Sequence, residues 1–174
     1  MLNEKIEKAF NEQLLAETYS AYLYWSMSAC FDAMNLSGFA NWMRVQAQEE
    51  MTHALKFYHF LIGRGGRVTL GAIEAPPAQW DSPLAVFEAV CAHERKVTGL
   101  INKLVELAQG QKDHAANAFL QWFVSEQVEE EAAAEDAVRK LKLMGEAPGG
   151  LFPLDQQMGS RKFTPPADPE GASG

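Results

Sequence analysis

The residues best equipped for chemistry are carboxylates that fall where a helix should be apolar. Stepping along four long amphipathic segments by three and four residues gives four seams. The first runs Phe10, Leu14, Glu17, Ala21, Tyr24, Ser28, Phe31, and the second Phe39, Met43, Gln46, Glu50, His53, Phe57, Phe60. The third runs Leu84, Phe87, Cys91, Glu94, Thr98, Ile101, Val105, and the fourth Ala116, Leu120, Phe123, Gln127, Glu130, Ala134, Ala137, Leu141. Each is mostly apolar or small, and each is interrupted near its middle by a glutamate. A buried ionised carboxylate is costly unless it is paired or binds a cation. Four at one level would repel one another strongly. No lysine or arginine lies on these seams near that level, so a metal site is the simplest resolution. Glu50 and His53 also form Glu-x-x-His, which places a carboxylate and an imidazole one turn apart on one face. An oxygen-rich set with little nitrogen suits iron or manganese better than structural zinc. A carboxylate able to bridge allows two metals. The competing reading is a polar layer that fixes helix register and binds no metal with defined stoichiometry.

Four helices must position these residues. The spacing predicts the first over about Asn3 to Met34 and the second from Asn35 or Ser37 to Gly63. The third opens at Ser82-Pro83, a good N-cap followed by proline at the first helical position, and fades at Gly110. The fourth runs from an Asp113 cap to Gly145, and a short fifth is expected over Leu151 to Met158. No strand signal of any length is present, beyond a short extended piece around Val68 to Ile73. The short joins predict two antiparallel hairpins. The linker from Arg64 to Asp81 can reach roughly 60 Å, against about 40 Å for a helix of this length. It can therefore cross the whole bundle and let the second and third helices run parallel. The expected fold is all-α, a four-helix bundle with one long crossover plus a short C-terminal helix. Residues 1–159 would form the domain and 160–174 a flexible tail.

Composition narrows the function classes. The chain has 174 residues, 47% of them hydrophobic and 22% charged, with a formal charge of -8. That is globular, and large enough to fold without disulfides or metal. The acidic balance argues against nucleic acid as a partner. Two cysteines, Cys30 and Cys91, form no CxxC pair, and both are expected to be buried thiols. The N-terminus lacks a signal-peptide pattern and no run is apolar enough to span a membrane, so the chain is expected to be soluble and cytoplasmic.

From the first helix through the fourth, the sequence resembles the bacterial non-haem ferritins. The carrying residues are Glu17, the stretch Glu49-Glu50-Met51-Thr52-His53, Glu94, and Gln127-Val128-Glu129-Glu130. The resemblance implies an iron-storage protein with ferroxidase activity. An intra-subunit di-iron centre would oxidise Fe(II) with oxygen or peroxide, and Fe(III) would be stored as mineral in a homo-oligomeric cage of twenty-four subunits. One iron would be held by Glu17, Glu50 and His53, the other by Glu94, Glu130 and a bridging Glu50, with Gln127 beside the pair. Glu49, Glu126 and Glu129, with Glu130 shared, match a third iron site, and would face the cage interior. Tyr24 matches a tyrosine beside the centre. Trp122 is expected to serve packing, and His93 to lie at the surface. Asp113 and His114 would line a threefold iron entrance.

Two related readings are weighed against this one. Bacterioferritins bind haem through a methionine at the place of Met51, but they and the rubrerythrins repeat Glu-x-x-His on the fourth helix. Here that site reads Gln127-x-x-Glu130, so haem is not expected. A small di-iron redox enzyme, such as a rubrerythrin-like peroxide reductase that stores no iron, would normally bring a rubredoxin-like domain that two cysteines cannot build. A DNA-protecting mini-ferritin fits less well, because its site straddles two subunits.

Overall fold

The computed structural model describes residues 2–145 and 149–165. Five helices account for the fold: α1 Glu4–Ala33, α2 Ser37–Gly63, α3 Pro83–Gly110, α4 His114–Met144 and α5 Leu151–Gly159. Their ends follow from side-chain caps. The Asn3 side chain accepts from Lys5 N, Ser82 from Ala85 N, and Asp113 from Ala116 N. Three helices stop in the same way, with a residue at positive φ followed by a hydrogen bond back to the last turn. Leu36 N donates to Phe31 O after Asn35, Gly66 N to Leu61 O after Gly65, and Asp113 N to Ala108 O after Lys112. Such caps satisfy carbonyls that the helix itself leaves open.

α2 has no capping side chain of its own; its cap residue is Leu36. Asp155 of α5 supplies the acceptor instead, taking the Phe39 N–H at 2.9 Å. The approach is close enough to require glycine at position 38. A Cβ there would lie 1.7 Å from the Asp155 carbonyl oxygen.

The crossover runs along α1. Asn11 binds Arg67 O and Thr69 N near the start of the linker, and Ser26 binds Pro77 O near its end. That is a climb of about 22 Å at the helical rise. α3 therefore starts at the opposite end of the bundle from where α2 stops, and the two run parallel, as the linker length predicts. The linker carries no strand at Val68 to Ile73. Its backbone bonds to Asn11 rather than to a partner strand.

Two apolar clusters fill the bundle. One gathers Tyr24, Phe31, Phe39, Trp42, Phe87 and Leu141, and the other Phe10, Leu14, Phe57, Ile101, Leu120 and Phe123. The four mid-seam glutamates lie in the layer between them. Cys91 is buried and Cys30 half-buried, and both are free. Cys30 thus corrects the expectation that both thiols are enclosed, because it sits one residue off the α1 seam. Among the described residues, no helix is long and apolar enough to cross a membrane.

Candidate metal centre

The buried set of α4 is the predicted seam, from Ala116 to Leu141, with Gln127 and Glu130 inside it. The other three seams deliver Glu17, Glu50 and Glu94 at 2% exposure or less. Only Leu84, Thr98, Val105 and Phe60 are half-buried, all on α2 or α3.

Ligand atoms of Glu17, Glu50 and His53 all lie within 4.8 Å of one another. A second group of the same compactness joins His53, Glu126 and Glu130. His53 belongs to both. Its Nδ1 is 3.4 Å from Glu50 Oε2, and its Nε2 is 4.0 Å from Glu126 Oε1. Glu94 belongs to neither group. Tyr24 donates its phenolic proton to Glu94 Oε1 in a very short contact, and Gln127 Nε2 lies 3.3 Å from Glu94 Oε2. Glu94 is therefore held by neighbours at both of its oxygens. Glu17 Oε2 is buried and accepts no hydrogen bond among the described residues. A buried, unpartnered carboxylate oxygen facing a second carboxylate and an imidazole is what a cation would satisfy.

The electrostatics agree. Burial, and next the Glu50 charge, push Glu17 up to about 8. Glu50 and Glu130 are raised well above the ordinary carboxylate range, first by burial and then by neighbouring carboxylates. Glu94 is also raised by burial, against the opposing hydrogen bonds from Tyr24 and Gln127. Burial and the Glu94 charge lift the Tyr24 phenol as well. Without a cation Glu17, raised to about 8, holds a proton at neutral pH that it would release to bind one.

The remaining predicted residues separate by exposure. Glu49 and Glu126 are half-buried at the edge of the cluster, and Glu129 is exposed. Trp122 packs edge-on to His53 with ring centroids 5.3 Å apart, and Lys56 sits over its face. His93 corrects the sequence expectation. It is half-buried, with Nε2 2.8 Å from Ser20 Oγ and its ring edge-on to Tyr24. Burial, then Lys96, push its pKa down to about 4. The reason is that α3 packs against α1 over a face wider than one seam. Asp113 takes a bidentate pair from Arg64, 3.1 Å at each nitrogen, in addition to capping α4. That engagement ties it to the bundle's own frame.

Several residues around the centre were given no role by the sequence, although Gln46 and Thr98 lie on the seams. Gln13 donates to Glu17 Oε1 at 2.9 Å. Gln46 donates to Glu50 Oε1 at 3.1 Å and to Glu130 Oε2 at 2.7 Å. Both are Gln-x-x-x-Glu pairs, whose i,i+4 spacing puts the amide over the carboxylate. Thr98, four residues after Glu94, accepts from Gln127 and donates to Glu131. Arg161, beyond α5, reaches Gln46 and Glu49. No local sequence signal ties it to α2.

A four-helix bundle with one long crossover, holding carboxylates and a histidine at its mid-level, defines the ferritin-like class of metal proteins. The ferritin-like domain matches residues 7–144, and the chain belongs to the ferritin family, whose members store iron. It is 47% identical over 161 residues to a bacterial non-haem ferritin of Bacteroides fragilis, covering 92% of this chain and all of the relative. It is 39% identical over 160 residues to a probable bacterial non-haem ferritin-like protein of Haemophilus influenzae, covering 92% and 97%. An open-pore ferritin from Archaeoglobus fulgidus superposes with a TM-score of 0.92 at 54% identity, covering 93% of this chain and all of that one.

Proposed function

We propose that the chain is an iron-storage ferritin whose buried carboxylate layer is a di-iron ferroxidase centre. The observation that carries this is the set of four carboxylates with, among the described residues, no buried lysine or arginine beside them and one oxygen of Glu17 left without a donor. Fe(II) is the substrate. Glu17, Glu50 and His53 form the first position. Glu94 and Glu130 form the second, with Glu50 shared and Gln127 and Tyr24 holding Glu94. Hard oxygen ligands favour the higher charge of Fe(III), which drives oxidation once oxygen or peroxide accepts the electrons. His53 is fixed in orientation by Trp122 and Phe123, both edge-on to it. Gln13 and Gln46 hold the carboxylates in place before metal arrives.

Glu49, Glu126 and Glu129 extend the acidic path from the centre and form a third iron position. The likeness to an open-pore ferritin supports assembly into a hollow homo-oligomer of twenty-four chains, acting in the cytoplasm, with Fe(III) stored inside as mineral. The relatives named non-haem ferritins support a reading without haem at Met51.

The test is iron loading. Excess Fe(II) is added in air, the protein is separated by size, and iron is counted per chain in each particle. The expected result is far more than three irons per chain in a large particle. Two per chain in a small particle would instead identify a di-iron redox enzyme that stores nothing, and no bound iron would indicate a structural polar layer.

A further inference from the structure

Arg161 follows α5 and points back into the bundle. Its Nη2 contacts Glu49 Oε2 in a very short ion pair, and its Nη1 donates to Gln46 Oε1 at 2.8 Å. Gln46 in turn donates both of its amide protons inward, to Glu50 and Glu130. The guanidinium is seated over the face of Trp42, 4.4 Å from the ring centroid, and the Arg161 carbonyl accepts from Asn41 Nδ2 at 3.0 Å. One positive side chain thus caps the inner edge of the carboxylate layer.

We propose that Arg161 is a built-in counter-cation that occupies Glu49 and must release it before a metal ion can use that carboxylate. The inference rests on the metal-centre reading above and adds to it a control on the third position. Its physical basis is mutual exclusion. Glu49 is half-buried, and the side chains of the pair are only 20% and 25% exposed, so water screens them weakly. A divalent ion held by Glu49 and Glu126 would sit beside the guanidinium, and like charges at that range repel. One carboxylate oxygen also cannot keep a full guanidinium hydrogen bond while serving as a tight metal ligand. The released side chain has somewhere to go. A cavity of about 280 Å³ lies beside Arg161, lined by Trp42, Asp136 and Lys140 among others, and Asp136, which Lys140 Nζ holds at 2.8 Å, keeps a carboxylate within it.

Burial raises Glu49 while Arg161, the next cause, opposes it. Gln46 links this edge to the centre. When metal draws Glu50 and Glu130 away from its amide, one of the anchors of Arg161 loosens. In this way the third position becomes available after the first two fill.

The test is calorimetric titration of the metal-free assembled protein with Zn(II), a redox-inert probe, in the natural chain, in Arg161→Gln and in Arg161→Lys. The natural chain is expected to show a tight pair of ions and a weaker third. Arg161→Gln should tighten the third by about tenfold, the scale of one charge-assisted hydrogen bond released, and leave the pair within about twofold. Arg161→Lys keeps the charge and should stay close to the natural chain. In a Glu49→Gln background, Arg161→Gln should change nothing in Zn(II) binding. A third ion of unchanged or lower affinity in Arg161→Gln, with the tight pair intact, overturns the counter-cation role alone. A natural chain without a tight pair overturns the metal-centre reading and this inference with it. If Arg161→Gln does not assemble, the Arg161→Lys and Glu49→Gln proteins decide. The role requires a third ion that is lost in Glu49→Gln and keeps its natural affinity in Arg161→Lys; a third ion that persists in Glu49→Gln, or that tightens about tenfold in Arg161→Lys although the charge is kept, refutes it.

Discussion

Asp113 and Glu17 are both carboxylates at helix-packing positions, and the protein treats them in opposite ways. Asp113, at the end of the bundle, receives two guanidinium hydrogen bonds from Arg64 and the N–H of Ala116, and its pKa is held down, first by Arg64. Glu17, at mid-bundle, receives one amide hydrogen bond and is pushed up to about 8 by burial. Asp113 is satisfied by the chain itself. Glu17, with Glu50, Glu94 and Glu130, is left to be satisfied by something the chain does not contain. A structural polar layer would resemble the first arrangement. The second sacrifices stability of the empty protein for cation affinity, and the two regions can be separated by mutation.

The largest effect should come from Glu50, which faces both proposed positions. Glu50→Ala is expected to lower the initial rate of aerobic Fe(II) oxidation by more than 100-fold, beyond the 10–100-fold typical of residues that only support a ligand. Stopped-flow absorbance reads this directly. Glu17→Gln should move stability the other way. It removes a carboxylate that is ionised in the unfolded chain and must take up a proton to be buried, so the metal-free protein should gain roughly 2–3 kcal/mol at neutral pH, while the tight metal pair is lost. Denaturant unfolding without metal and a metal titration together check both halves.

The pH dependence carries the same contrast in sign. Glu17 is raised in the folded chain, so the folded state binds more protons than the unfolded one between the two values. Its contribution is fully present below about 4.5 and is lost as pH rises to about 8. Asp113 is lowered, so its contribution is present above the ordinary aspartate value of 3.8 and is lost as pH falls through its folded value. The thermal midpoint of the metal-free protein should therefore decline from pH 5 to pH 8, and Glu17→Gln should flatten that decline.

Asp113→Ala comes next in size. Loss of the cap and of the Arg64 pair should cost about 1–2 kcal/mol and leave metal affinity unchanged. The smallest effect is expected from Tyr24→Phe. It frees Glu94 Oε1 from its phenolic donor and should slow Fe(II) oxidation by about tenfold, with a stability change near 1 kcal/mol. An oxidation rate unaffected by Tyr24→Phe would reduce the tyrosine to a core aromatic.

Much of this arrangement was legible in the sequence, for a physical reason. A carboxylate on an apolar seam is so costly that four of them, one per helix, mark a common layer, and the seams alone bring Glu17, Glu50, Glu94 and Glu130 into it. Caps at Ser82 and Asp113 marked two of the helix starts, and the linker length fixed the crossover. Gln13 and Gln46 were within reach of the same reasoning, because i,i+4 spacing on a helix is a local rule. His93 was misplaced because a seam is a line, whereas helix packing covers a band. Arg161 and the Asp155 cap of α2 were not legible at all. Both act on α2 from more than a hundred residues away, and nothing local in either segment encodes that meeting.

The most direct test of the central claim is anaerobic Fe(II) titration of the metal-free protein at pH 7, counting bound iron and released protons together. Ionisation of raised carboxylates on binding predicts saturation at two tight Fe(II) per chain, with proton release that fades as the pH is taken above about 8. No saturable binding, or binding without proton release at pH 7, would contradict a carboxylate layer built for a cation.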